Sequence, residues 1–397
     1  MGDKNKKKKI PAADLGEIIP LLIGAWRKIH RESGPKDRLQ TREFRSAVAA
    51  LTALNERLSG QQQPISNDWP CDPHLWGAYL LYYWVIHYQE GLSLLNELPK
   101  TPQRVLDIGS GAGPYALAAL KHGANDVVAT DSNRDALQLA SALAGQCGYP
   151  LTIRQWNCLR SHIPIEGKFD LIISAHCIEE IFPSQRENWL EQRALFFEGM
   201  MMERLTPGGF LLVVESSHAE VNRRQLMLRD ALRARGVPVQ APCIWQGSCP
   251  ALASGALCYA QRDMDKPFLI KELQRAAKIN LGSLKMSYTL FRHPQASLPE
   301  TPLKRLYRVI SPPIDLFRGK RYYLCGVDGK KSLGSYVNVH EKNTRAFEYL
   351  RRGDAIALEN ISEQRDLLDI RADSTLTLYA PCDKPLPHLL EKEDIME

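Results

Sequence analysis

Apolar residues recur at helical spacing along the first hundred residues of the chain. Residues 15–26 and 44–58 each place their apolar side chains on one face of a helix. A third segment, 75–87, is rich in aromatic residues at the same spacing, which is typical of a packed core. This pattern predicts a helical N-terminal region over residues 12–100 that caps the domain following it.

Between residues 101 and 240, short apolar runs alternate with amphipathic segments. The runs predict strands, and the segments between them predict helices. The predicted strands are 105–108, 126–130, 151–155, 169–174 and 210–215, and the predicted helices are 114–122, 133–146, 187–205 and 221–235. Such alternation is typical of an α/β fold built on a doubly wound, mostly parallel sheet.

The remaining segments have different patterns. Residues 241–302 carry cysteines and many basic side chains, whereas residues 303–380 alternate apolar and polar positions between turn signals. Alternation with period two predicts a small C-terminal β-domain, of the size of a five-stranded barrel. Residues 1–11 are predicted to be a basic disordered tail, and residues 381–397 a second tail.

Composition is that of an ordinary globular protein, with 44% hydrophobic and 24% charged residues. No apolar run is long enough to span a bilayer, so we expect no membrane partner. The first ten residues lack the apolar segment of a secretory signal. We therefore expect a cytoplasmic protein, a monomer, whose nine cysteines are free thiols or metal ligands rather than disulfides.

A glycine-rich loop joins the first predicted strand of the sheet domain to its first helix. The loop segment reads Val105-Leu-Asp-Ile-Gly-Ser-Gly-Ala-Gly-Pro114. Its acidic residue and its proline at the sixth position disfavour a dinucleotide site, because the acid would repel a pyrophosphate. The order of strand, acid and glycine loop resembles the class I methyltransferases, which bind S-adenosylmethionine.

Six residues are predicted to bind S-adenosylmethionine. They are Asp107, Gly109, Gly111, Gly113, Asp131 and Asn157. The Asp107 carboxylate would pair with the methionyl ammonium, and Asp131, which ends the second strand, with the two ribose hydroxyls. Asn157 lies where adenine is usually bound, and a cap on the preceding strand is an equally good interpretation.

The segment after the fourth predicted strand is the place for a catalytic residue. It reads Ala175-His176-Cys177-Ile178-Glu179-Glu180. It lacks the Asn/Asp-Pro-Pro-aromatic motif of amino-group methylation and the Pro-Cys nucleophile of pyrimidine methylation. His176 is the candidate general base, since an imidazole titrates near neutral pH. A residue that only lines the pocket is the more frequent alternative.

Three cysteines cluster in the segment that follows the sheet domain. Cys243, Cys249 and Cys258 are separated by five and eight residues, wider than the spacing usual for structural zinc. An iron–sulfur cluster tolerates such spacing and takes four cysteines, for which the distant Cys325 is our choice of fourth ligand. Three unliganded thiols remain the alternative, and Cys71 and Cys382 are other candidates for the fourth position.

Several stretches together resemble one known family, the methyltransferase-like proteins of the mitochondrial small ribosomal subunit and their bacterial relatives. The stretches are 241–250, 258–262, 275–288, 324–329 and 352–354. The resemblance implies a four-iron four-sulfur (4Fe-4S) cluster on Cys243, Cys249, Cys258 and Cys325. It also implies association with small-subunit ribosomal RNA, with ribosomal proteins as further partners. Because no targeting peptide is seen, we expect a bacterial-type cytoplasmic member of the family.

The charge of one segment is compatible with an RNA partner, although a solvated surface is the more frequent explanation of a charge run alone. Fifteen Lys or Arg residues stand against six Asp or Glu between positions 262 and 331, and basic side chains bind nucleic acid by releasing its counterions. The expected contacts to phosphates and bases are Lys266, Lys271, Arg275, Lys278, Lys285, Tyr288, Phe291 and Arg292. The sequence thus predicts an S-adenosylmethionine-dependent methyltransferase of small-subunit RNA. A methyltransferase of small molecules and a non-catalytic assembly scaffold are the alternatives.

Overall fold

Two eight-stranded sheets form the framework of the computed structural model of the protein, which describes residues 14–58, 72–160, 164–299, 303, 305–317, 319–335 and 342–390. The predicted basic tail and Cys71 lie outside these residues, as does the end of the predicted C-terminal tail. No helix within the described ranges is both long enough and apolar enough to cross a membrane.

The helices are α1 Leu15–His30, α2 Thr41–Leu58, α3 Pro73–Ala78, α4 Trp84–Leu95, α5 Pro114–His122, α6 Arg134–Gln146, α7 Ile178–Ile181, α8 Trp189–Arg204, α9 Ala219–Ala234, α10 Pro250–Ala253 and α11 Phe268–Ala276. The strands of the first sheet are β1 Arg104–Ile108, β2 Asp126–Asp131, β3 Thr152–Gln155, β4 Phe169–Ala175, β5 Leu205–Ser216, β6 Val239–Ala241, β7 Ala260–Arg262 and β8 Leu284–Arg292. The strands of the second sheet are β9 Leu306–Val309, β10 Ile314–Leu316, β11 Gly319–Gly326, β12 Gly329–Ser335, β13 Ala355–Glu359, β14 Ser362–Gln364, β15 Leu367–Asp369 and β16 Thr375–Ala380.

The first sheet has the order β3-β2-β1-β4-β5-β8-β6, with β7 paired to β8. Strands β1 to β5 are parallel, and the chain changes direction across the sheet between β1 and β4. The predicted doubly wound α/β fold is confirmed. In such a sheet the carboxyl ends of the strands on either side of the switch point form a crevice for ligands.

The N-terminal helices pack on one face of this sheet, as the predicted cap. A buried ion pair between Arg27 of α1 and Glu43 of α2 joins the first two helices. A single π-helical turn, Tyr79–Tyr83, connects α3 to α4. The indole of Trp84 donates a hydrogen bond of 3.0 Å to the carbonyl oxygen of Ala112, so the cap is fixed directly to the glycine loop.

Strand β8 is the main difference from the sequence-based prediction, which treated its residues as part of a basic surface. It lies between β5 and β6, antiparallel to both. Tyr288 and Phe291 are buried there, and the Tyr288 hydroxyl donates to Glu97 at 2.6 Å. The expectation that these two rings stack on RNA bases is therefore wrong. It arose because the apolar positions of this core strand lie among basic residues in the sequence.

The second sheet has eight strands in the order β14-β15-β12-β11-β9-β13-β16, with β10 paired to β11. Five were expected, and three of the additional strands, β10, β14 and β15, have only three residues each, too few to produce a periodic signal. Part of the segment predicted to be a C-terminal tail packs against this sheet. Its side chains Cys382, Leu386 and Leu389 are buried.

Candidate functional site

The glycine loop follows β1 at the switch point of the first sheet. Gly109, Gly111 and Gly113 have φ angles of 64°, 53° and 73°, a region that residues with a Cβ rarely adopt. A Cβ at Gly113 would lie 2.8 Å from that of Ala140, and one at Gly109 2.6 Å from that of Cys177. The loop thus requires glycine both for its conformation and for close packing.

The carboxylate of Asp131 holds this loop in place from the end of β2. One of its oxygens accepts a hydrogen bond of 2.9 Å from the Gly111 N–H, and the other accepts one of 2.8 Å from Asn133. Burial raises the pKa of Asp131 above its usual value, and these backbone donors only partly offset that rise. The structure therefore brings the predicted ribose-binding carboxylate against the predicted cofactor loop.

Asp107 lies beneath the loop as a buried carboxyl group with an incomplete set of partners. It is 1% exposed, and its Oδ2 atom makes no hydrogen bond with the described residues. Burial raises its pKa to about 8. Because an unpaired buried carboxylate is costly, a cationic group beside it would be stabilised. This is the property expected of a residue that pairs with the methionyl ammonium.

Asn157 follows β3, as predicted, and its side chain has a local role. Its carboxamide oxygen accepts a hydrogen bond of 3.1 Å from the Leu159 N–H. This contact is to a residue that follows Asn157 and not to the preceding strand, so a strand cap and adenine binding both stay predictions for Asn157.

His176 directly follows β4 in a strained backbone conformation. Its φ angle is 56°, and its N–H donates to the Val214 carbonyl oxygen at 2.8 Å. Its Nε2 lies 2.9 Å from Oε2 of Glu90, and its ring stacks on that of His87 with 4.0 Å between centroids. Strain in a residue other than glycine is concentrated at functional sites.

His87 and Glu90, both on α4, were missed by the sequence analysis. Their spacing of three residues places them on one face of the helix, but only the packing of the cap brings them to His176. Burial lowers the pKa of His87 well below its usual value, and so does the neighbouring His176. Burial also acts to lower the pKa of His176, but the contact with Glu90 outweighs it and the net shift is upward.

The four predicted metal ligands line a single cavity of about 60 Å³. Cys243 follows β6, Cys249 begins α10, Cys258 precedes β7 and Cys325 lies in β11. Burial and the other thiols raise the pKa of Cys258 to about 12. The four cysteines that the sequence separates by up to a fifth of the chain are thus neighbours in space.

Three arginines line the same cavity with incomplete hydrogen bonding. The buried Nε atoms of Arg229, Arg262 and Arg352 have no partner among the described residues. Buried donors of this kind would be satisfied by a hydrogen-bond acceptor bound in the cavity.

The sulfur atoms of the four cysteines are farther apart than the ligand atoms of His87, Glu90 and His176, which all lie within 4.8 Å of one another. Tetrahedral zinc would require sulfur atoms about 4 Å apart.

Four of the expected RNA contacts lie together on the surface. Lys266, Lys271, Arg275 and Lys278 line an open groove of about 390 Å³ around α11. Lys285 is exposed on β8, whereas Arg292 is half-buried and donates to Gln240 at 2.5 Å. The groove therefore contains four of the six basic residues that were predicted to contact RNA.

Comparison with known families identifies the family of the chain. The family described as mitochondrial small ribosomal subunit Rsm22 matches residues 78–355, which include both features. The chain belongs to the Rsm22 family. The resemblance inferred from the sequence is confirmed.

Curated relatives of this Rsm22-family chain are methyltransferases. The ribosomal protein L11 methyltransferase of Syntrophotalea carbinolica is 31% identical over 151 residues, which cover 37% of this chain and 42% of the relative. The electron transfer flavoprotein beta subunit lysine methyltransferase of Mus musculus is 29% identical over 162 residues, covering 39% and 60%. The matches span less than two thirds of each relative.

Solved structures similar to this Rsm22-family chain include methyltransferases. The ribosomal protein L11 methylase from Lactobacillus delbrueckii subsp. bulgaricus is 17% identical with a TM-score of 0.32, over 52% of this chain and 77% of that one. A methyltransferase from Pyrococcus furiosus is 13% identical with a TM-score of 0.35, over 52% and 82%.

Proposed function

We propose that this protein is an S-adenosylmethionine-dependent methyltransferase of small-subunit ribosomal RNA that carries a structural 4Fe-4S cluster. The observation that carries the proposal is the intact glycine loop, held by Asp131 and placed above the unpaired carboxyl oxygen of Asp107. A chain that kept the fold only as a scaffold would have no need of this arrangement.

The residues around the loop would each hold one part of the cofactor. Gly111, where an added Cβ would meet nothing within 4 Å, leaves room for its close approach. Asp107 would face the ammonium, and Asp131 would receive the ribose hydroxyls. When bound, S-adenosylmethionine supplies an electrophilic methyl group. Asn157, which lies at the carboxyl end of β3, would meet the adenine.

The cluster would be held by Cys243, Cys249, Cys258 and Cys325. The support is their common cavity, which is also lined by three arginines whose buried Nε atoms have no partner among the described residues. Arg308 of β9 also lines this cavity and donates to the Pro242 carbonyl oxygen at 2.8 Å. A group bound there would connect the two sheets, so its role is structural.

Methyl transfer to small ribosomal subunits tests the proposed function. Protein purified without oxygen is incubated with isolated subunits and with S-adenosylmethionine labelled in its methyl group. We expect the label in the RNA. Label in a ribosomal protein would favour an acceptor like that named for the L11 methyltransferases. Tight binding without any label would favour a scaffold.

The basic groove makes a separate prediction for RNA binding. We expect the double variant Lys271→Ala/Lys278→Ala to bind small-subunit RNA more weakly, because each lysine would neutralise a phosphate. The slope of log affinity against log salt should fall by about 2, one for each lost contact. Filter binding across a salt series measures it. The control is Lys28→Ala/Lys36→Ala, two exposed lysines outside the groove. An equal loss in both double variants would contradict the assignment.

A further inference from the structure

A buried polar cluster beside the glycine loop has no part in holding the cofactor. Glu90 of α4 is 3% exposed, and its Oε2 atom makes two polar contacts. One is to Nε2 of His176 at 2.9 Å, and the other is the hydroxyl of Tyr115, which donates at 3.2 Å. Three separate elements, α4, α5 and the end of β4, thus meet at one carboxylate oxygen.

Two histidines and a glutamate within 4.8 Å are also a possible metal-ligand set. The orientation of the rings argues against one. His87 and His176 stack with only 11° between their planes and 4.0 Å between their centroids. An imidazole nitrogen donates in the plane of its ring, to a metal about 2 Å away. Two nearly parallel rings at this separation cannot both direct a lone pair at one ion.

The position of His176 points to proton transfer instead. It lies at the carboxyl end of β4, on the same edge of the sheet as the glycine loop after β1. The next residue, Cys177, packs against Gly109 of that loop. The His176 side chain keeps 19% of its surface exposed, whereas the Glu90 side chain keeps 4%. The imidazole is therefore the member of the pair that a methyl acceptor could reach.

We propose that Glu90 is a positioning residue that holds His176 as the proton acceptor of the methyl transfer. The inference rests on the proposed function and adds the class of acceptor, an atom that carries N–H or O–H and must lose its proton. The lone pair of the acceptor forms the new bond to the methyl carbon. The electrons of the former carbon–sulfur bond stay on the departing thioether. The acceptor's proton passes to the His176 nitrogen that faces away from Glu90, and from there to solvent.

The charged and titratable groups around His176 agree with this role. Glu90 and His87 face it from α4, Tyr115 from α5 and Glu215 from β5. A carboxylate at one imidazole nitrogen stabilises the imidazolium that forms when the other accepts a proton. His176 acts only when it is neutral, so activity should rise with pH through its pKa, which Glu90 raises above the usual value.

The variant Glu90→Gln tests the inference, because it keeps the shape and removes the charge. We expect turnover to fall about 100-fold, the usual contribution of a positioned base. The rising limb of the pH profile should move to lower pH, and affinity for S-adenosylmethionine should stay unchanged. NMR titration of the His176 imidazole, assigned with His176→Asn, should show the same downward shift of its pKa without any need for turnover. Glu187→Gln, an exposed carboxylate on the surface, is the matched control.

Each outcome separates the inference from the proposed function. If the wild-type protein transfers no methyl group, the proposed function fails. If the wild type is active and Glu90→Gln matches it in rate and pH profile, only the role of Glu90 fails. Turnover that a chelator abolishes and a divalent ion restores would assign the three side chains to a metal and overturn the inference.

Discussion

The variant Cys243→Ser, purified without oxygen, is expected to lose its iron and the broad visible absorbance of thiolate-bound iron. Replacing one of four ligands with a hydroxyl removes a thiolate that the cluster requires. The cavity joins the segment between β6 and β7 of the first sheet to β11 of the second. Loss of the group bound there should therefore also weaken that junction. We expect Tm to fall by roughly 5–10 °C, the shift that a loss of a few kcal/mol produces.

Iron and sulfide content per chain, together with thermal unfolding, measure this effect. Cys147→Ser is the matched control, because Cys147 is a half-buried free thiol that does not line the cavity. Limited proteolysis should cut the second sheet faster in Cys243→Ser than in the control. A colourless wild-type protein with one zinc per chain, or a Cys243→Ser variant that keeps its iron, would refute the cluster.

The second large effect is expected at Asp131. We expect Asp131→Ala to lower the affinity for S-adenosylmethionine by at least about 100-fold. The change removes the predicted contacts to two ribose hydroxyls, and hydrogen bonds to charged groups contribute about 1.5–3 kcal/mol each. It also removes the acceptor that holds the Gly111 N–H, so the loop loses part of its preorganisation.

Calorimetric titration with S-adenosylmethionine measures the loss. Asp126→Ala provides the control at the opposite end of the same strand, where the carboxylate forms an exposed ion pair with Arg104. That variant should bind normally, because surface pairs of this kind contribute little. Equal affinity in Asp131→Ala and the wild type would show that the carboxylate at the end of β2 does not bind the cofactor.

The sequence predicted those parts of the fold that have a strong local signal. Strands β1, β2, β4 and β5 were found because both faces of a parallel sheet are covered, which makes these strands apolar runs. The glycine loop was recognised because its conformation allows few other residues. The three-residue strands of the second sheet carry no such signal, since no periodicity can be recognised over three positions.

The candidate site divides in the same way. Cys243, Cys249 and Cys258 were noticed because they are close in sequence, and the distant Cys325 was chosen as the fourth ligand over Cys71 and Cys382. Glu90 could not be found, since a single glutamate on an apolar helix has no pattern of its own. Only the packing of α4 against the sheet brings its carboxylate to His176. Tyr288 was wrongly assigned to an RNA-binding surface, because the basic composition of its segment was given more weight than the alternation of apolar and polar positions in the strand.

The cysteine cavity has a consequence for the order of events during synthesis of the chain. Cys243, Cys249 and Cys258 leave the ribosome well before Cys325, which the second sheet contributes from β11. A nascent chain that ends before β11 contains the whole glycine loop and every strand of the first sheet, yet it lacks one wall of the cavity. The proposed cluster would therefore gain its fourth ligand only on a nearly finished polypeptide, so its insertion would act as a late checkpoint on maturation.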